Sequence, residues 1–178
     1  MRILIAGVGN ILRGDDGFGI EVLHRLQRSP VVEGVEYFES GIAGISLVQE
    51  LMDGFDALII VDALDRAGVP GQLFVLEPDR ASLFVPPTRV EATDLHQADP
   101  EVVLRMAAAL DVLPKRLRIV GCQAVDCDEL GAPLTEAVAR AVPAAVDRIR
   151  GIVAGWQNGV SGAVPGGAVA SAAPEPQT

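Results

Sequence analysis

The chain has 178 residues, a length that fits one domain of about 100–200 residues. It is 49% apolar and 21% charged, which excludes a largely disordered protein. Fourteen basic residues against twenty-four acidic ones give a net charge of −10, and a surface so negative repels nucleic-acid phosphates and anionic membranes.

No apolar run approaches the ~20 residues of a membrane span. The run after Met1-Arg2 is broken too soon, at Gly9-Asn10 and Arg13, for a secretory leader. Two cysteines, Cys122 and Cys127, cannot make a disulfide framework. The expectation is a protein of the reducing cytoplasm, neither bound to nucleic acid nor inserted in a membrane. Oligomeric state is left open, with a monomer the simplest expectation.

Ile3–Val8 is a short run rich in β-branched residues and reads as a buried strand ending at Gly9-Asn10. A polar, glycine-punctuated loop, 11–17, leads into a helix over Phe18–Gln27. Val22, Leu23 and Leu26 share one face of it, and Glu21, Arg25 and Arg28 the other. Val35–Glu39 is a second strand. A turn at Gly41–Gly44 opens a helix carrying Ile45, Leu47, Val48, Leu51 and Met52.

Ala57–Val61 is the clearest buried strand, and it is expected to stop at Asp62. The next strand, Gln72–Glu77, follows a connection too short for a helical crossover and should lie antiparallel at an edge. Residues 78–94 show no clean period and read as a long surface loop. Asp99-Pro100 starts a helix to about Leu110, with Asp as N-cap. Leu117–Gly121 is the last strand, and Thr135 opens a final helix through Val153.

This alternation indicates a single three-layer α/β domain with a twisted, mostly parallel sheet of about five strands and helices on both faces. The domain is expected over residues 1–155. Residues 156–178, rich in Gly, Ala and Pro, are expected to form a flexible tail, with Trp156 at the junction packing the end of the last helix.

In an open α/β sheet, groups at the carboxyl ends of parallel strands gather at one rim. The first strand delivers Asp15 and Asp16 there, the third delivers Asp62, and the loop before the third long helix delivers Asp94 and His96. Two carboxylates and an imidazole suit a divalent transition metal, and equally an acid/base set. His24 falls on the first helix, where a surface position is the simpler reading.

Gly7-Val8-Gly9 lacks the third glycine of a dinucleotide fingerprint, because position 12 is Leu, and Asp15 and Asp16 would repel a pyrophosphate. No nucleotide is expected. Cys122 reads as a core residue. Cys127, among Asp126, Asp128 and Glu129, should stay protonated and poorly nucleophilic.

The opening through Asn10, Gly14-Asp15-Asp16-Gly17-Phe18-Gly19, Ser40-Gly41-Ile42-Ala43-Gly44 and Ile59-Ile60-Val61-Asp62-Ala63 together resemble the nickel–iron hydrogenase maturation endopeptidases. His96, followed by a helix and Ile119-Val120-Gly121, completes the pattern. The resemblance covers roughly residues 1–153. It implies removal of a short C-terminal peptide from the precursor of a hydrogenase large subunit after nickel insertion, with cleavage after a basic residue that follows the partner's last metal-binding cysteine motif.

The resemblance also implies that Asp16, Asp62 and His96 contact a nickel ion supplied by the substrate and serve as the catalytic set. His96 must be neutral to bind metal, so activity is expected to fall on acidification. Family members often carry Asp where this chain has Ser40, beside Glu39, so no role of that aspartate transfers here. The alternatives are a nickel-site chaperone that binds the same precursor without cutting, and a small-molecule hydrolase or phosphorylase on a related sheet.

Overall fold

The computed structural model describes residues 1–41, 44–85 and 100–159. Five strands form one sheet: β1 (Ile3–Val8), β2 (Val35–Gly41), β3 (Ala57–Leu64), β4 (Leu73–Leu76) and β5 (Arg116–Gln123). Their order is β2-β1-β3-β5-β4. All neighbours are parallel except β4, which runs antiparallel to β5 at one edge. Residues 65–72 join β3 to β4, too short a path for a helix to carry the chain back, so β4 returns in the opposite sense.

Among the described residues, five helices cover the sheet: α1 (Phe18–Gln27), α2 (Gly44–Leu51), a one-turn α3 (Arg80–Leu83), α4 (Pro100–Ala109) and α5 (Glu136–Gln157). Successive strand residues point to opposite faces, and both faces of the central strands are dry. Ile3, Ile5, Ile59 and Val61 pack against Phe18, Val22 and Leu23 of α1 and Val142, Ile149 and Trp156 of α5. Leu4, Ala6, Leu58 and Ile60 pack against Leu47, Val48 and Leu51 of α2 and Leu104 and Ala107 of α4. Burial on both sides is why β1 and β3 read as continuous apolar runs rather than alternating ones.

The structure departs from the sequence expectations in three places. β3 continues through Asp62 to Leu64, because its ladder with β5 pairs Asp62 with Gly121 and Leu64 with Gln123. A backbone ladder does not depend on the polarity of its side chains. Second, residues 80–83, expected within a loop, form α3. Asp79 caps it by accepting from the Ala81 amide, and Leu83 is buried in the core. Third, β5 runs on to Gln123 and α5 to Gln157, past the expected ends at Gly121 and Val153. On α2, Ile45 and Met52 are exposed. The buried stripe of α2 is Gly44, Leu47, Val48 and Leu51, spaced i, i+3, i+4, i+7; Ile45 lies off that stripe, and Met52 follows the helix end.

Trp156 lies within α5 and is part of the core. His96, Asp94 and Asp99, and the tail beyond residue 159, lie outside the described residues. Among the described residues, no helix is long and apolar enough to cross a membrane.

Candidate active site

The site is built where β1 ends. Gly9 takes a φ of +116°, a left-sided conformation that side chains rarely adopt, and its amide donates to the Gly41 carbonyl at the end of β2. Asn10 then organises the turn. Its side-chain oxygen accepts from the Leu12 amide at 2.9 Å, and its carbonyl accepts from the Arg13 amide at 3.0 Å. Gly14–Gly17 forms a single 3-10 turn that runs directly into α1.

The glycines of this segment are spacing devices. A Cβ on Gly19 would lie 2.2 Å from the Val61 carbonyl and 2.4 Å from that of Val8. Only a bare backbone lets the start of α1 sit down on the ends of β1 and β3. A Cβ on Gly7 would meet the Gly19 carbonyl at 2.7 Å. The pattern that looks like a nucleotide fingerprint is therefore satisfied by helix–strand contact within the chain itself.

Asp16 is half-buried in the 3-10 turn, and its Oδ2 accepts from the Asn10 amide at 2.9 Å. Burial pushes its carboxyl above the ordinary carboxylate value, against the opposing pull of the Asn10 amide and the Arg13 guanidinium. Asp62 is only 7% exposed, one residue beyond the Val61–Gly7 pair of the β1–β3 ladder. By strand alternation it shares the Ile60 face, the side covered by α2 and α4.

α4 ends at Ala109, only six residues separate it from the start of β5, and so its N-terminus at Pro100 stands toward the rim that holds Asp62. His96 precedes that N-terminus by four residues. Among the described residues, no three His, Cys, Asp or Glu side chains are grouped to hold a metal ion.

Asp15 and Asp16, adjacent and equal in sequence, have different surroundings. Asp15 is 0% exposed. Its Oδ1 accepts from the Thr135 amide at 2.7 Å. Its Oδ2 accepts from the Val125 amide at 2.8 Å, the Thr135 hydroxyl at 3.0 Å and the Asp126 amide at 3.3 Å. Thr135 does precede α5, as expected, but its side chain makes no capping bond to the helix.

The 124–135 segment is thereby fastened over the 3-10 turn. A bridge between Arg13 and Leu130 and a 2.7 Å bond from the Gly131 amide to the Leu12 carbonyl add to this.

Cys127, on that segment, is drawn into the site's field. Burial pushes its thiol up to about 11, followed by the charges of Asp16, Asp15, Asp62 and Asp128. Its protonated state agrees with the sequence reading, but the responsible carboxylates are mainly those of the site rather than its chain neighbours. Cys122 is fully buried, and burial first, then Asp15, pushes its thiol to about 12. His24 is partly exposed and lies 2.7 Å from Glu39, on the outer side of α1. Ser40 is buried, and its carbonyl accepts from the Ser46 hydroxyl.

The family model of the HycI hydrogenase maturation proteases matches residues 20–152. The chain belongs to this family. It is 34% identical over 169 residues to the hydrogenase expression/formation protein HupD of Rhizobium leguminosarum bv. viciae, an alignment covering 94% of this chain and 82% of the relative. The hydrogenase maturating endopeptidase HybD from E. coli superposes with a TM-score of 0.66 at 28% identity, covering 89% of this chain and 94% of that one. The [NiFe] hydrogenase maturation protease HycI from Thermococcus kodakarensis gives a TM-score of 0.67 at 25% identity, covering 86% and 92%. As a hydrogenase maturation protease, this chain is a hydrolase of the endopeptidase type, and its mostly parallel five-stranded sheet is the architecture of those structures.

Proposed function

We propose that this protease removes a C-terminal peptide from the nickel-loaded precursor of a nickel–iron hydrogenase large subunit in the cytoplasm, recognising the bound nickel through Asp16, Asp62 and His96. Family membership supports the reaction class. The observation that carries the site is the placement of two carboxylates at the carboxyl-end rim of two adjacent parallel strands, Asp16 in the turn after β1 and Asp62 near the end of β3.

The nickel belongs to the substrate. Two carboxylate oxygens and an imidazole nitrogen are suitable donors for a divalent ion whose remaining positions are filled by the precursor's thiolates. Burial disfavours the charge on Asp16, and a cation brought against it relieves that penalty, so the carboxylate is poised to engage a metal. Docking through these groups would place the scissile carbonyl beside a Lewis acid able to polarise it or to activate a water. Recognition then doubles as a checkpoint, because a nickel-free precursor offers no anchor.

The test mixes the purified protein with nickel-loaded and nickel-free precursor. Loss of a C-terminal peptide, seen by gel shift and mass, is expected only with nickel. Asp16→Ala, Asp62→Ala and His96→Ala should each abolish it in a folded protein. A stable complex without mass loss would establish a chaperone instead, and cleavage by all three variants would remove these residues from the site.

A further inference from the structure

We propose that Asp15 is a positioning residue for this protease: its buried carboxylate locks the 3-10 turn that carries Asp16 to the 125–135 segment. The inference rests on the reading of Asp16 given above.

A carboxylate withdrawn from water is costly, and an apolar side chain would fill the same space more cheaply. What an apolar side chain cannot do is collect donors. Asp15 collects four, from Val125, Asp126 and twice from Thr135, all on one segment without regular structure that needs an external template for its amides. Its own amide completes the link by donating to the Asp126 carbonyl at 2.8 Å.

Asp15 and Asp16 are consecutive, so whatever holds one backbone unit holds the next. While Asp15 binds the 125–135 segment, Asp16 bonds Asn10 at the end of β1. The turn is thus clamped from two sides, and the direction in which Asp16 faces is set by its neighbour. The missing capping bond of Thr135 fits this picture: its hydroxyl is engaged with Asp15.

The experiment compares Asp15→Asn and Thr135→Val with the wild type on nickel-loaded precursor, with fold checked by a cooperative melt. Asp15→Asn keeps one acceptor oxygen and turns an NH2 toward donors. It is expected to lower kcat at least about tenfold with KM little changed. Thr135→Val removes only the hydroxyl. It should lower kcat less, and add nothing in the Asp15→Asn background, as expected for two members of one network.

A role confined to folding would lower the melting temperature and leave kcat of the folded enzyme unchanged; that result overturns the proposal. If Asp15→Asn does not fold, Thr135→Val decides, and a wild-type kcat there overturns it equally. Full activity in Asp16→Ala would instead defeat the reading of the site. An inactive Asp16→Ala beside a fully active Asp15→Asn would defeat the positioning role alone.

Discussion

Gly9 lies directly beneath Asp16: a Cβ built on Gly9 would stand 1.8 Å from the Asp16 carbonyl oxygen and 3.5 Å from its Oδ1. The end of β1 and the turn carrying the candidate ligand touch backbone to backbone. Any side chain at position 9 must lift the turn away from the strand.

Gly9→Ala is therefore expected to damage stability and catalysis together. The φ of +116° strains any L side chain, and the collision is with backbone rather than a movable side-chain tip. The combined cost is at least about 3 kcal/mol. Urea denaturation should show it, and the protein that still folds should cleave precursor at least about tenfold more slowly, since a displacement of ~1 Å is enough to disturb a site.

Asp16→Asn should separate stability from function. Burial raises the Asp16 pKa above 3.8, so the fold prefers its protonated form. That contribution is complete below the unfolded value and is lost as pH rises through the higher folded value. At neutral pH the ionised group weighs against folding. The Asn variant should thus melt higher than wild type at pH 7, with the gap closing below about pH 4. Its cleavage of nickel-loaded precursor should fall at least about a hundredfold. Melting curves at both pH values, beside the cleavage assay, check the two halves.

The framework of this site is legible in the sequence because strand periodicity and the carboxyl-end rule are both local signals. Ile3–Val8 and Ala57–Val61 announce buried parallel strands, and polar residues after such strands face the ligand rim. Asp62 was expected just past its strand and lies inside it, because hydrogen bonding to β5 continues where the apolar run stops.

The division of labour between Asp15 and Asp16 is not legible, since nothing in the pair distinguishes a buried hub from a half-exposed ligand. The donors that make the distinction come from residues 125–135, more than a hundred positions away. Thr135 shows the same limit: a helix-start residue can be recognised locally, but its allegiance to Asp15 is a tertiary fact. Asp79 as the cap of a one-turn helix escaped notice because residues 80–83 are too few to show a period.

Cys127→Ala should leave cleavage within about twofold of wild type. With a pKa near 11, roughly one thiol in 10⁴ is ionised at pH 7, far too few for an efficient nucleophile. Alkylation of Cys127 should be slow at pH 7 and accelerate between pH 9 and 11. Raised thiol pKa values also mean stability that is complete below about pH 9 and lost as pH rises through the folded values near 11 and 12, so the wild type should weaken in alkaline buffer. A cleavage loss above tenfold in Cys127→Ala would give the thiol a part in the chemistry.

Arg2→Ala provides the opposite contrast to the site variants. Arg2 lies at the amino ends of the strands, away from the rim. Its guanidinium donates to Glu36 Oε1, to the Asp53 carbonyl at 2.7 Å and the Gly54 carbonyl at 2.9 Å, and lies 4.5 Å from the centroid of the Phe55 ring. These contacts tie β1 to β2 and to the turn before β3, yet they are partly open to water, which limits their combined worth to about 1–2 kcal/mol. Truncation should lower the melting temperature by roughly 2–6 °C and leave kcat on nickel-loaded precursor unchanged. Asp62→Ala should do the reverse, abolishing cleavage in a protein that still melts cooperatively. Parallel melting and cleavage measurements on the two variants test whether stability and chemistry are held at opposite ends of the same strands, and an inactive Arg2→Ala with an intact fold would show that they are not.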